Sequence, residues 1–322
     1  MPTSQNQNNA PFGAENQLRK HYFLDRYVII SPSRKMRPVS FKSKEAKHKS
    51  TLKSCVLCIG NNEKPLYRLP ATGQWQVKAI NNKYPALSQD NPEAYGNHEL
   101  IIETPDHNRE FSELTHTEKL DVFSAYQHRL NALTIKEGIR YVQVWKNDGP
   151  LAGASIAHAH SQILALPLIP PQAEVESIAL NSYRNMNGTC AICDLIVWEE
   201  SQDVRVVYQD KYIIALCPYA SSAPFGVWII PKRHETSFSN LKPDELNSLA
   251  TILGKISSKL DSESISFNWF LVNSLPHEGH HFVFKVEPRD TTWGGAELGT
   301  GIVINPIPPE YSKLWYQGKE KP

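Results

Sequence analysis

The sequence predicts an α+β fold of two tandem modules, each a mostly antiparallel sheet with a packed helix. Three observations predict it. A Cys-x2-Cys pair, an apolar strand-like run ending near a His, and Phe-Ser-x-Leu occur in that order twice along the 322 residues. Each copy is followed by apolar residues at helical spacing. Each helix is followed by two further strand-like runs, the last of which carries histidine.

Residues 1–17 are polar, rich in Asn and Gln, and read as a disordered tail. The first module, 18–170, holds Cys55 and Cys58, the run Glu99-Leu100-Ile101-Ile102-Glu103 leading to His107, and Phe111-Ser112-Glu113-Leu114. Leu120, Phe123, Leu130 and Leu133 then form a helical stripe, and Thr115 with Glu118 is a capping box. Strands are expected over 140–146 and 157–166. Pro167-Leu168-Ile169-Pro170-Pro171 separates the halves. The second module, 171–322, repeats the order with Cys190 and Cys193, Val227 to His234, and Phe238-Ser239-Asn240-Leu241. Its helix carries Leu246, Leu249, Ile252, Ile256 and Leu260, with Pro243 in the first turn. Its strands are expected over 267–273 and 280–286. Paired modules of this kind can join their sheets into one platform.

The net charge is +1, from 34 basic and 33 acidic side chains, which argues against nucleic acid or a membrane surface as partner. No apolar run is long enough to span a bilayer, and the N-terminus lacks the apolar core of a secretory signal. A cytoplasmic location is expected. In that compartment four of the five cysteines, paired as Cys-x2-Cys, suit a metal rather than disulfides. Cys217, inside an apolar run, reads as core.

The two metal sets are Cys55, Cys58, His107 and His158, and Cys190, Cys193, His234 and His281. Two thiolates and two imidazoles suit tetrahedral zinc, and four protein ligands leave no open position, so both sites read as structural. For the second set His277 and His280 compete with His281, and iron is an alternative occupant.

The richest segment runs from Asn147-Asp148-Gly149 through Gly153-Ala154-Ser155 to His158-Ala159-His160-Ser161-Gln162. On a strand His158, His160 and Gln162 share a face. The small residues ahead of them let backbone amides approach a phosphate. A neutral imidazole is a competent nucleophile near pH 7. His160 is therefore the candidate nucleophile toward phosphorus, and Gln162 the donor to a non-bridging oxygen.

This segment resembles the active-site strand of the galactose-1-phosphate uridylyltransferase family, which belongs to the histidine-triad superfamily and is built from two such modules. Tyr27 to Pro38, Pro105-Asp106-His107 and Gly294 to Gly301 resemble its other signatures. The resemblance implies that His160 becomes nucleotidylated and that Gln162 and Ser155 contact phosphate. It implies that Arg34, Arg37, Asn82 and Asn147 line the nucleotide site. It also implies that Glu297 lies near the sugar and can reach across the interface of a homodimer. In the second module Val283 stands at the nucleophile's place. The family's strand usually reads His-Pro-His-Gly; Ala159 and Ser161 depart from it and resemble the ADP-glucose phosphorylase branch. The leading expectation is ping-pong exchange between UDP-glucose and galactose 1-phosphate, in galactose metabolism. The alternatives are adenylyl transfer from ADP-glucose to inorganic phosphate and a non-catalytic, zinc-stabilised nucleotide-binding protein.

Overall fold

The computed structural model describes residues 15–36, 55–58, 64–289 and 292–320. Arg37, Pro38 and residues 1–14 of the expected tail lie outside these ranges. The first half contributes strands β1 (Gln17–Lys20), β2 (Tyr27–Ile30), β3 (Tyr67–Leu69), β4 (Val77–Asn81) and β5 (Asn97–Ile102). Helix α1 (His116–Thr134), β6 (Tyr141–Asp148) and β7 (His160–Leu166) follow. The second half opens on α2 (Pro171–Asn187) and α3 (Ala191–Gln202), then β8 (Val206–Gln209), β9 (Ile213–Leu216) and β10 (Val227–Pro231). It ends with α4 (Pro243–Ser262), β11 (Phe267–Val272), β12 (Val283–Pro288), α5 (Gly295–Thr300), β13 (Val303–Asn305) and α6 (Pro309–Tyr316).

Ten strands form one sheet in the order β3-β4-β5-β7-β6-β11-β12-β10-β9-β8. Outward from the middle, each half repeats the same sequence of strands. The seam is the antiparallel pair β6–β11, with Asn147 opposite Asn268 and Lys146 opposite Trp269. The platform expected from the repeat is therefore formed.

Strand alternation assigns the two faces. On one face Val142, Val144, Ile163 and Ala165 of the first half, with Ile229, Trp269 and Phe284 of the second, pack in a single core with α1 and α4. Phe123, Tyr126, Leu253 and Leu260 are their fully buried helical partners. Each such large apolar side chain contributes about 1.5–3 kcal/mol by leaving water.

The helix starts follow the sequence. Thr115 Oγ1 accepts from Glu118 N at 3.3 Å, and the Glu118 carboxylate accepts from Thr115 N at 2.7 Å. In α4 Pro243 takes the first turn and Glu245 accepts from Lys242 N at 2.7 Å. Each of these third-position glutamates is clamped by an arginine beside a metal-set histidine. Arg109 grips Glu118 at 2.8 and 2.7 Å, and Arg233 grips Glu245 at 2.9 and 2.9 Å.

Among the described residues, the opposite face is covered at its flanks. Cys55 and Leu57 lie over Ile80, Leu100 and Ile102. Helix α3, through Ile192, Leu195 and Ile196, lies over Ile214, Leu216, Trp228, Ile230 and Val283. Between them His98, Trp145, Asn147 and Gln162 remain partly exposed.

Several elements depart from the sequence reading. Helices α2, α3 and α6 were not expected. The Val175 and Ile178 side chains of α2 stay largely exposed, so no core-facing stripe announced it. The glycine-rich 294–301 stretch contains α5, which the sequence did not announce and whose first turn is capped by Glu297 accepting from Gly294 N at 2.9 Å. The last strands begin at His160 and Val283, because the residues just before them turn His158 and His281 toward the cysteine pairs. Finally, β1 and β2 form a second sheet with β13, which runs parallel to β2. Arg19 of β1 reaches Glu310 of α6 at 3.0 Å, which ties the N-terminal segment to the C-terminal one. Among the described residues no helix is long and apolar enough to cross a membrane.

Candidate active site and metal centres

The first cysteine pair sits in a short turn, where Cys58 N donates to Cys55 O at 3.2 Å. His107, beyond β5, and His158, ahead of β7, converge on it. Cys58 Sγ lies 3.3 Å from His107 Nδ1 and 3.1 Å from His158 Nδ1, and Cys55 Sγ lies 3.7 Å from His158 Nδ1. In the second half Cys193 Sγ lies 3.3 Å from His234 Nδ1 and 3.4 Å from His281 Nδ1. In each set the four donor atoms lie within 4.8 Å of one another. His281, rather than His277 or His280, is the histidine brought to the pair; His280 instead meets Ser177 Oγ at 3.1 Å.

The far side of the imidazoles repeats too. His158 Nε2 donates to Thr104 O at 2.7 Å, and His281 Nε2 donates to Pro231 O at 2.8 Å. Each carbonyl lies three residues before the other histidine of its set. The bonds fix the tautomer, so that each Nδ1 lone pair faces the sulfurs. Cys190 caps the N-terminus of α3, where the helix dipole favours a thiolate. Its thiol is held well below the usual range, chiefly by a hydrogen bond from Cys193, with the His281 imidazole adding to it. Both donor sets thus fit a tetrahedral thiolate–imidazole metal.

A cavity of about 340 Å³ opens between the first cysteine turn and the ends of β6 and β7. Its walls include Lys146, Asn147, Gly149, Ser155, His158 and His160. His160 Nδ1 donates to the His158 carbonyl at 2.7 Å, which leaves Nε2 with the lone pair. Burial pushes the His160 imidazole down to about 4, with the Lys146 cation adding to the shift. The ring is therefore neutral near pH 7.

Beneath it lies a polar cluster that no sequence motif announced. Lys146 Nζ meets Glu103 at 2.7 Å, and both side chains are fully buried. The other Glu103 oxygen accepts from Ser161, which also meets the Tyr126 hydroxyl of α1. Burial alone would lower the Lys146 pKa, but Glu103, Asp148 and Glu110 outweigh it and hold the cation.

The remaining predicted residues fall into three groups. Asn147 and Ser155 line the cavity. Asn147 is held by Asn268 Nδ2 at 2.8 Å across the seam, and its own amide reaches Gly153 O at 3.3 Å. Gln162 and Asn82 lie on the open face beside His98, with Gln162 Oε1 at 2.9 Å and Asn82 Nδ2 at 3.2 Å from its Nε2. Arg34 is exposed in the turn after β2, and Glu297 caps α5; neither belongs to the cavity wall. In the second half strand register sets Val283 and Lys285 where the first has His160 and Gln162. His21, Phe23 and Leu24 line the small space beside them.

Comparison with known proteins agrees with this geometry. Residues 91–170 match the model of the galactose-1-phosphate uridyl transferase N-terminal domain, and residues 199–285 match the HIT domain. The chain is 33% identical to an ADP-glucose phosphorylase of Arabidopsis thaliana, over 92% of each. It is 27% identical to a galactose-1-phosphate uridylyltransferase of Thermotoga maritima, over 91% of this chain and 95% of that one. Among solved structures, an Arabidopsis thaliana ADP-glucose phosphorylase with bound ADP-glucose superposes with a TM-score of 0.83 at 29% identity, over 96% of this chain and 100% of that one.

Proposed function

Since the chain belongs to the family of galactose-1-phosphate uridylyltransferases and ADP-glucose phosphorylases, and is a nucleotidyltransferase of it, we propose that it works through a covalent nucleotidyl-His160. The observation that carries this is the buried, neutral imidazole of His160, anchored through Nδ1 with Nε2 left free at a cavity wall.

In the first half-reaction His160 Nε2 attacks the α-phosphorus of a nucleotide sugar. The P–N bond forms as the P–O bond to the sugar phosphate breaks, and hexose 1-phosphate leaves with that electron pair. Positive charge grows on the imidazole, and the His158 carbonyl and the Asp148 carboxylate stabilise it. In the second half-reaction an oxygen of a phosphate-bearing acceptor attacks the same phosphorus and His160 returns neutral. Gln162 donates to the phosphoryl oxygens, and Asn147 and Ser155 contact the phosphates from the cavity wall. Two nucleophilic steps replace one difficult displacement.

Zinc is the proposed metal of both sets, held by Cys55, Cys58, His107 and His158 and by Cys190, Cys193, His234 and His281; iron is an alternative at the second. With four protein ligands its contribution is to hold ligand-bearing segments together. Arg34, Arg37 and Asn82 are assigned to the nucleotide. Glu297 is assigned to the sugar site of a second protomer; the exposed Trp293 and Leu298 beside it support that assignment. Cysteines held as metal ligands rather than as disulfides suit a cytoplasmic location.

Adenylyl transfer from ADP-glucose to phosphate is placed ahead of uridylyl transfer. The higher identity, 33% against 27%, and the Ser161 that follows the nucleophile support it. Uridylyl transfer to a hexose 1-phosphate is the second reading, supported by the uridyl transferase domain match over 91–170. Intact-protein mass spectrometry after mixing with ADP-glucose or UDP-glucose tests both. A gain of one AMP or one UMP, absent from His160→Ala, names the base. No gain with either donor sinks the covalent reading.

A further inference from the structure

We infer that His98 is the positioning residue that turns the amide of Gln162 toward the phosphoryl group; the inference rests on the covalent reading above. His98 lies on β5, on the same open face as Gln162, and no motif in the sequence singled it out. Its imidazole stands between two partners. The backbone N–H of Ala86 points at His98 Nδ1 at 3.1 Å, and Gln162 Oε1 lies 2.9 Å from His98 Nε2.

A backbone N–H can only donate. His98 Nδ1 is therefore the acceptor, and in a neutral imidazole the proton must then sit on Nε2. Nε2–H donates, so the Gln162 atom that meets it must be the carbonyl oxygen. The rotation of an otherwise ambiguous side-chain amide is thereby decided: the Gln162 NH2 points away from His98 and is left to donate elsewhere. Asn82, whose Nδ2 can only donate, does not make Nε2 an acceptor. Its Nδ2 lies 3.2 and 3.5 Å from the two ring nitrogens, nearly equidistant and so on the axis of neither. Asn82 is itself fixed, because its Oδ1 accepts from Tyr84 N at 2.9 Å. The ring of Trp145 flanks His98 at 5.8 Å between centroids and limits its swing.

The chain of donors thus runs from a backbone amide through His98 to Gln162, and ends on two N–H groups that anions accept. A preorganised donor of this kind acts on charge that develops in the transition state, so its loss lowers kcat more than it raises KM.

The test is a double-mutant cycle on the rate of His160 nucleotidylation, followed by rapid-quench mass spectrometry. His98→Leu removes the donor and is expected to slow labelling roughly ten- to hundredfold with KM little changed. His98→Gln keeps a donor that reaches Gln162 and is expected to recover most of the rate. Added to Gln162→Ala, His98→Leu is expected to slow labelling no further, because His98 acts only through Gln162. His98→Asn, which retains an acceptor for Ala86 but ends short of Gln162, carries the same comparison if the leucine variant does not fold. An undiminished rate in the single variant, or a full multiplicative loss in the double variant, overturns the inference alone. Absence of any adduct in the unmodified enzyme overturns the covalent reading, and the inference with it.

Discussion

The imidazole of His160 hangs from the carbonyl of His158, 2.7 Å away, while the imidazole of His158 faces the sulfurs of Cys55 and Cys58. The proposed nucleophile is therefore oriented by the backbone of a residue whose side chain belongs to a metal set. Metal removal is expected to act on stability and activity together. Dialysis against a strong chelator should lower the melting temperature and abolish His160 labelling, and zinc should restore both. An unchanged melting temperature after verified metal loss would refute the structural role.

His160→Asn keeps a donor near the His158 carbonyl but has no nucleophilic nitrogen. Its fold should persist, with no covalent adduct, and turnover should fall by at least about 10⁴-fold. Circular dichroism with adduct mass checks the two parts separately.

Lys146 and Glu103 are an ion pair without access to water. Lys146→Met leaves the Glu103 carboxylate buried and unpaired, at a cost of about 3–5 kcal/mol. Adding Glu103→Gln removes that charge and should recover a substantial part. Urea titration of the three proteins gives the comparison, and equal stability of single and double variants would contradict it.

Arg109 holds the Glu118 carboxyl down to about 2 from its ordinary 4.5. A carboxylate lowered in the folded state stabilises fully above its unfolded value and loses that contribution as pH falls through the folded one. The window is therefore from about 4.5 down to about 2. Both groups are partly solvated, so the term is about 1 kcal/mol. Arg109→Ala should lower the melting temperature at pH 7 and flatten its decline across this window. A parallel curve would show that another carboxylate governs the acid limb.

Gly149 has φ +85°, and a Cβ there would clash with Ser266 Oγ. Gly149→Ala should cost about 1–3 kcal/mol through backbone strain and the clash. It should also weaken nucleotide-sugar binding, because the turn positions Asn147. Calorimetry of unfolding and of binding reads the two effects.

What the sequence made legible was contiguous chemistry. Cys-x2-Cys, His-x-His and the Thr115–Glu118 cap are local, and the duplication of Cys-x2-Cys and Phe-Ser-x-Leu exposed the repeat and with it the joined sheet. The parts that stayed hidden arise from residues remote in sequence. Nothing near His98 announces that β5 will bring it beside Gln162. Nothing near Glu103 announces Lys146. Strands β1 and β2 meet β13 only because the termini come together. Helix α2 escaped detection because its apolar side chains do not face the core.

The seam between β6 and β11 carries a consequence for how the chain can be cut. The two halves share one hydrogen-bonded ladder and one apolar core, whereas Pro167 to Pro170 leads from β7 into α2 and carries none of that ladder. Severing that connection leaves every ladder bond across the middle in place. Two polypeptides ending and starting there, co-expressed, should find each other and assemble into an intact enzyme, while neither alone should remain in solution.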